Sequence, residues 1–319
     1  MNSTNTQLCQ FALDVQKGLL SNPRMLPSMY FYDDIGSRIF QEIMEMPEYY
    51  LTDAEMEILS TQPAQIYAAL DYHNGFNIVE LGAGDGVKTK ALLSHLVSQR
   101  ANVTYYPLDI SQEAMSILET DLANSLPSLA VSPLVGDYFK VLDQIDLGDR
   151  PNFFLFLGSN IGNYEPSDAI QLLKHFGKYM KPGDQLLLGF DLKKHPRKIR
   201  NAYDDPNGIT ARFNLNLLNR MNRELGANFD LDSWEFYANY DPKSGDVRSY
   251  LISLCEQKVQ FSSLNQSFIF EKDELINTEL SKKYSLAEMT KIAQMAGFAQ
   301  KDSFMDKDGL FMDGLFVKQ

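Results

Sequence analysis

The run Asn77-Ile78-Val79-Glu80-Leu81-Gly82-Ala83-Gly84-Asp85-Gly86 decides how this chain is read. A short apolar stretch carries an acid near its end and then breaks into glycines at alternate positions. Glycine adopts backbone angles closed to other residues and lets the main chain come close to a bound molecule. A helix that starts after such a turn offers unpaired amides to a ligand. The spacing is G-x-G-x-G, and Val87 stands where a dehydrogenase fingerprint wants glycine.

Three further signals follow in order. Tyr105-Tyr106-Pro107-Leu108-Asp109-Ile110 reads as the next strand. An acid about 20 residues past a glycine loop commonly accepts the ribose hydroxyls of an adenosine cofactor, and Asp109 fits. Ser111-Gln112-Glu113-Ala114 opens a helix there, so Asp109 also suits a cap. Val135-Gly136-Asp137-Tyr138 supplies a third acid, placed to bind an adenine amino group with an aromatic neighbour against the ring. Asn152 to Asn163 is a fourth strand that runs into a glycine-rich mouth. Ligands bind where parallel strands end and strand order reverses. Together the signals predict a loop of the S-adenosylmethionine (SAM) kind, and hence a methyltransferase.

From about 60 to 198 strand and helix signals alternate, with strands at 77–81, 103–108, 130–135, 152–158 and 185–191 and helices at 86–99, 112–124 and 166–180. This predicts a parallel, doubly wound sheet. The rhythm changes after 199. A long helix spans 209–225, an exposed strand starts at Tyr250, and two closing antiparallel strands run over 298–304 and 310–317. Thr52–Glu55 and Ser285–Glu288 both match a capping box. The expected fold is α/β: a Rossmann-like, doubly wound class I methyltransferase sheet (61–198 plus 285–319) with an inserted α+β substrate-binding domain (1–60 plus 199–284).

The bulk composition narrows the partners. The chain has 319 residues, 44% of them hydrophobic, and a net charge of −13. Nucleic acid and anionic membranes both favour basic surfaces, so neither is expected. Cys9 and Cys255 have no metal-ligand spacing and the four histidines are scattered, so no metal site is expected. The N-terminus lacks a basic region followed by an apolar core, so no leader is expected and a cytoplasmic location is the default. A monomer acting on a small molecule is the simplest organisation.

Short motifs spread over nearly the whole length point to one family. They are Phe31-Tyr32-Asp33, Pro47-Glu48-Tyr49-Tyr50-x-Thr52-x-x-Glu55, the glycine loop with Lys88-Thr89, and Phe156-Leu157-Gly158-Ser159-x-Ile161-Gly162-Asn163. Downstream come Ala202-Tyr203-Asp204-Asp205, Asn222-Arg223-Glu224-Leu225 and Thr278-Glu279-x-Ser281-x-Lys283. In this ordered set the chain resembles the SAM-dependent histidine Nα-methyltransferases of ergothioneine biosynthesis. The resemblance implies that Gly82, Gly84, Lys88, Asp109, Asp137 and Tyr138 bind SAM, with Lys88 facing the methionine carboxylate and Tyr32 closing over the cofactor. It implies that Tyr49, Asn163 and Tyr203 hold the amino-acid backbone, and that Glu279 and Ser281 hold the imidazole. The implied reaction is methylation of the α-amine of L-histidine, up to the trimethylated betaine hercynine. No general base is assigned.

The chain departs from the family's actinobacterial branch at Asp85-Gly86-Val87, at Asn160, and at Ser249, where that branch places a methionine against the ring pocket. Two alternatives follow: an N-methyltransferase for another aromatic amino acid or amine such as tryptophan, or a SAM-binding regulatory protein without turnover.

Overall fold

The computed structural model describes residues 9–319. The expectation of no leader falls on the first residues, which lie outside that range. The described chain forms two compact units. One joins Leu51–Lys193 to Lys282–Gln319, and the other joins the residues up to Tyr50 to Lys194–Ser281.

The first unit is built on an eight-stranded sheet. Its central strands Phe76–Leu81, Asn152–Phe156 and Gln185–Asp191 are buried along their whole length. That is the expected state of parallel strands covered by helices on both faces. From one edge the order is Phe298–Met305, Phe311–Lys318, Gln185–Asp191, Asn152–Phe156, Phe76–Leu81, Val103–Asp109 and Ala130–Val131. The strand order therefore reverses between Phe76–Leu81 and Asn152–Phe156, which pair in parallel. This is the point where doubly wound sheets bind ligands. The two last strands are antiparallel, as the sequence predicts, and pair Phe311 with Asp191 and Phe298 with Lys318. The core gathers Val79, Leu81, Phe154, Phe156 and Leu188 from the sheet. Leu172 and Phe176 pack on them from the helix Pro166–Phe176, and Met289 and Ile292 from Leu286–Met295.

Three details differ from the sequence reading. The strand expected over 130–135 is broken into Ala130–Val131 and Leu134–Val135, both paired with Val103–Asp109. Pro133 has no N–H and stops the ladder between them. The exposed strand expected from Tyr250 is two strands, Asp246–Ser253 and Gln257–Phe261, with a turn between them. Residues 51–60 group with the sheet, although the sequence reading places them with the inserted domain. The cause is Glu55. The helix begins at Tyr50, upstream of the supposed capping box, and the fully buried Glu55 carboxylate bonds into the sheet unit instead of capping. The second capping box, Ser285 with Glu288, is present.

The other unit has a three-stranded sheet in the order Leu275–Lys282, Asp246–Ser253, Trp234–Asp241, and a hairpin of Gln257–Phe261 with Gln266–Phe270. Helices Gln10–Leu20, Asp34–Met44 and Ile209–Leu225 belong to it. The helix Ile209–Leu225 buries Phe213, Leu217, Leu218, Met221 and Leu225, the spacing of one helical face. Phe31, Ile39, Trp234, Phe261 and Phe270 complete that core. Asp205 holds the helix start by accepting the Ile209 and Thr210 amides at 3.0 and 2.8 Å. Asp205 is thus the helix entry, while Asp204 ends the preceding helix Pro196–Tyr203.

Candidate active site

The glycine loop leaves the first strand by three left-handed turns, with φ of +75° at Gly82, +57° at Gly84 and +67° at Gly86. The glycines do different work. A Cβ on Gly86 would lie 2.3 Å from Leu118 Cδ1, so Gly86 admits the helix Gln112–Ser125. Among the described residues a Cβ on Gly84 would meet nothing within 4 Å, so that stretch faces open space. The loop is braced from the neighbouring strand. Gly82 and Ala83 amides donate to the Leu108 carbonyl at 2.8 and 3.0 Å. Asp109 Oδ2 accepts the Gly84 amide and Oδ1 the Ser111 amide, each at 2.9 Å. Ser111 itself caps the next helix. The cap expected of Asp109 therefore falls to Ser111, and each Asp109 carboxylate oxygen retains a lone pair beyond these bonds. The N-cap of the helix Val87–Ser98 is Gly86, which has no side chain, and Asp85 Oδ1 accepts the Val87 amide at 3.2 Å. Open space beside Gly84, a helix start at a glycine and an acid on the next strand suit an adenosine cofactor with an amino-acid tail.

Glu80 underlies this loop. It is buried, accepts from the Thr89 hydroxyl at 2.5 Å, and accepts from the Tyr105 phenol. Burial pushes its pKa up to about 7, against the hydrogen bonds from Thr89 and Tyr105 and the Lys88 charge. A carboxyl raised this way is neutral in the folded state while the unfolded chain is already ionised. Its contribution to stability is full below the unfolded pKa and is lost as pH rises through the folded one. The shift corresponds to about 3 kcal/mol at most. Urea unfolding at about pH 5 and about pH 8 should show wild type losing stability relative to Glu80→Gln as pH rises. Parallel profiles for the two proteins would rule this role out.

Lys88 lies in the first turn of the same helix, with its side chain 27% exposed, and donates to the Glu55 carboxylate. Burial opposes its charge, but Glu55, Asp313 and Glu80 outweigh that, and its pKa ends above the ordinary lysine value. Asp137 Oδ1 accepts the Phe139 amide at 2.9 Å and caps the short helix Tyr138–Val141. The Tyr138 hydroxyl is 2.7 Å from that of Tyr164.

Asn163 ends the short 3-10 helix Asn160–Asn163, held by a close backbone approach at Gly162. A Cβ on Gly162 would lie 2.7 Å from the Lys282 carbonyl oxygen. Gly162→Ala forces backbone from backbone, which typically costs about 1–3 kcal/mol. A lowered melting temperature together with a raised KM for the amino acid is expected. A variant as stable as wild type would show that the strand yields freely.

The remaining candidates lie in the other unit. Glu279 and Ser281 alternate along Leu275–Lys282 and share one face of that strand. Tyr203 and Ser281 are buried, and their hydroxyl oxygens are 2.9 Å apart. The Ser249 hydroxyl, 1% exposed, donates to Glu279 Oε2 at 3.2 Å. Rings connect Tyr32, Phe40, Tyr49 and Tyr203 in a chain with centroid distances of 5.3, 6.3 and 6.1 Å. Burial, and then the charge on Glu279, hold the Tyr32 phenol above its ordinary pKa, although 47% of the residue is exposed. Tyr32, expected at the cofactor, thus shares a unit with Glu279, while Asn163, expected at the substrate, belongs to the sheet unit.

The sequence reading missed Glu55 as a site residue, because its partners lie 33 and 103 positions away and no local pattern points to them. Among the described residues, no group of three or more His, Cys, Asp or Glu is placed to hold a metal. No described helix is long and apolar enough to cross a membrane.

A family model described as histidine-specific, SAM-dependent methyltransferase matches residues 11–318. This chain belongs to that family. The methyltransferase is 36% identical to a histidine N-alpha-methyltransferase of Mycobacterium tuberculosis over 85% of this chain and 83% of the relative. It is 33% identical to ergothioneine biosynthesis protein 1 of Schizosaccharomyces pombe, over 84% of this chain but 35% of that longer protein. An L-tryptophan methyltransferase of Psilocybe serbica is 28% identical over 87% of this chain and 84% of its own length.

Proposed function

We propose that this methyltransferase transfers the methyl group of SAM to the α-amine of free L-histidine and proceeds to the trimethylated betaine. SAM, when bound, supplies an electrophilic methyl on a sulfonium. In this reading Gly82 and Gly84 admit the cofactor, Asp109 accepts the ribose hydroxyls, and Asp137 and Tyr138 take the adenine. Lys88 meets the methionine carboxylate and Tyr32 covers the cofactor.

Tyr49, Asn163 and Tyr203 hold the amino-acid backbone. Their hydroxyls and amide place an amine without fixing a charge beside it. The α-amine must lose a proton before each attack, and a desolvated pocket favours its neutral form. Alignment of nitrogen with methyl and sulfur supplies most of the rate. Oligomeric state does not enter this scheme, and a monomer suffices.

The observation that carries the choice of histidine is the Glu279–Ser281 pair, presented on one strand face with Ser249 and Tyr203 as partners. A carboxylate and a hydroxyl engage both ring nitrogens of an imidazole. An indole has one N–H and would leave an acceptor unmatched, which a buried site penalises. The second reading, tryptophan or another aromatic amine, rests on Ser249, a small side chain where the actinobacterial branch carries methionine. The decisive experiment incubates the purified protein with SAM and a mixture of proteinogenic amino acids and follows methyl additions by mass spectrometry. Histidine methylated in preference to all others is expected. Preference for tryptophan would overturn the substrate assignment, and SAM binding without any product would favour a regulatory role.

A further inference from the structure

Glu55 joins the two loops that flank the point where strand order reverses. Its carboxylate is fully buried. Oε1 accepts the Gly158 amide at 2.7 Å, just beyond the strand Asn152–Phe156. Oε2 accepts from Lys88 Nζ, in the first helical turn after the glycine loop. Space for this is left by Gly189, where a Cβ would fall 2.3 Å from Glu55 Oε1 and 3.0 Å from Asp313 Oδ1. Asp313 is also fully buried, and among the described residues neither of its carboxyl oxygens has a hydrogen-bond partner. Burial, and then the charge of Glu55, push its pKa well above the ordinary carboxylate value. Glu55 is the acid that hydrogen-bonds the lysine, and Asp313 lies beside it.

An ion pair with a buried acid is a poor stabilising device, because desolvation of the buried charge offsets the attraction. Its value lies in direction. An ammonium has three N–H donors and no preferred plane. Glu55 takes one of them and holds Nζ at 3.5 Å from where a Cβ on Gly158 would stand. Gly158 has φ of +76° and is exposed, so that spot lies at the open mouth.

We propose that Glu55 is a positioning residue for the amino-acid end of the cofactor, aiming the free donors of Lys88 at its carboxylate while it fixes the Gly158 amide. This rests on the reading that Lys88 meets that carboxylate. Glutamine at 55 would keep the bond from Gly158 but turn an NH2 group on Lys88, leaving the lysine undirected.

The test compares two ligands by titration calorimetry on the full chain: S-adenosylhomocysteine (SAH), and 5′-methylthioadenosine, which lacks the amino-acid tail. Glu55→Gln should weaken SAH by roughly 10- to 100-fold, the range for a misdirected charge-assisted hydrogen bond, and leave methylthioadenosine within about 2-fold. Lys88→Met should show the same selectivity, and the double variant should be no weaker than Lys88→Met alone. Equal loss for both ligands would make Glu55 a mere support of the loop and overturn the proposal. Lys88→Met selective with Glu55→Gln silent would keep the lysine assignment and reject the role of Glu55. Lys88→Met silent toward SAH would instead reject the lysine assignment. If Glu55→Gln does not fold, Glu55→Asp, too short to reach both partners, carries the same test.

Discussion

Asp109→Ala is expected to weaken SAH binding by about 100-fold or more, the largest effect of any single change in the cofactor half. Two contributions combine. On the proposed assignment the ribose hydroxyls lose the Asp109 carboxylate as acceptor, and bonds to a charged acceptor contribute about 1.5–3 kcal/mol each. About 3 kcal/mol already corresponds to a factor of more than 100 in affinity. The same oxygens brace the glycine loop through the Gly84 amide and the following helix through the Ser111 amide. Losing those leaves two backbone donors to water, with a smaller cost to the ligand-free protein.

Calorimetry with SAH and thermal unfolding without ligand separate the two contributions. A large loss of affinity beside a small loss of melting temperature is the expected pattern. An unchanged SAH affinity would remove Asp109 from the ribose, and its role would then be the bracing alone.

Glu279→Ala is expected to do the opposite. Turnover of histidine, read as kcat/KM, should fall by about 100-fold or more, while SAH affinity stays within about 2-fold. A ring N–H facing an apolar gap loses its acceptor, and the site loses the discrimination that a buried polar group supplies. The variant also removes the acceptor of the Ser249 hydroxyl, which donates to Glu279. Parallel losses of histidine turnover and SAH binding would mean that Glu279 supports the fold of its unit, and the pocket assignment would be wrong. The two variants are informative as a pair, since Asp109 and Glu279 belong to different compact units.

Legibility followed the range of the interactions. The strands and helices of the sheet unit could be read because each is set by neighbours in the chain. The run 77–81 is buried on both faces and therefore uniformly apolar apart from Asn77 and Glu80. Those two exceptions have long-range partners, Asn152 for one and Tyr105 for the other. The strand over 130–135 is broken because Pro133 interrupts a ladder that composition alone makes continuous. In the other unit, Trp234–Asp241 and Leu275–Lys282 lack a clean alternation of buried and exposed positions and carry many polar residues. Their strand character depends on pairing with Asp246–Ser253, which no local window contains.

The candidate site divides in the same way. The glycines 82, 84 and 86, the acid at 109 and the helix that follows each are short-range patterns, and the amino-acid sequence determined them: a turn that only glycine permits, and an acid at a strand end. Tertiary structure alone decided which of those groups do what. It showed Gly86 filled by Leu118 while Gly84 stays open. It turned Glu55 from a supposed helix cap into the buried partner of Lys88 and Gly158. It also brought Ser249 to Glu279 across neighbouring strands. The physical reason is that backbone conformation is governed by the residue and its immediate neighbours, whereas a buried charge takes whatever partner the folded chain brings within hydrogen-bond reach.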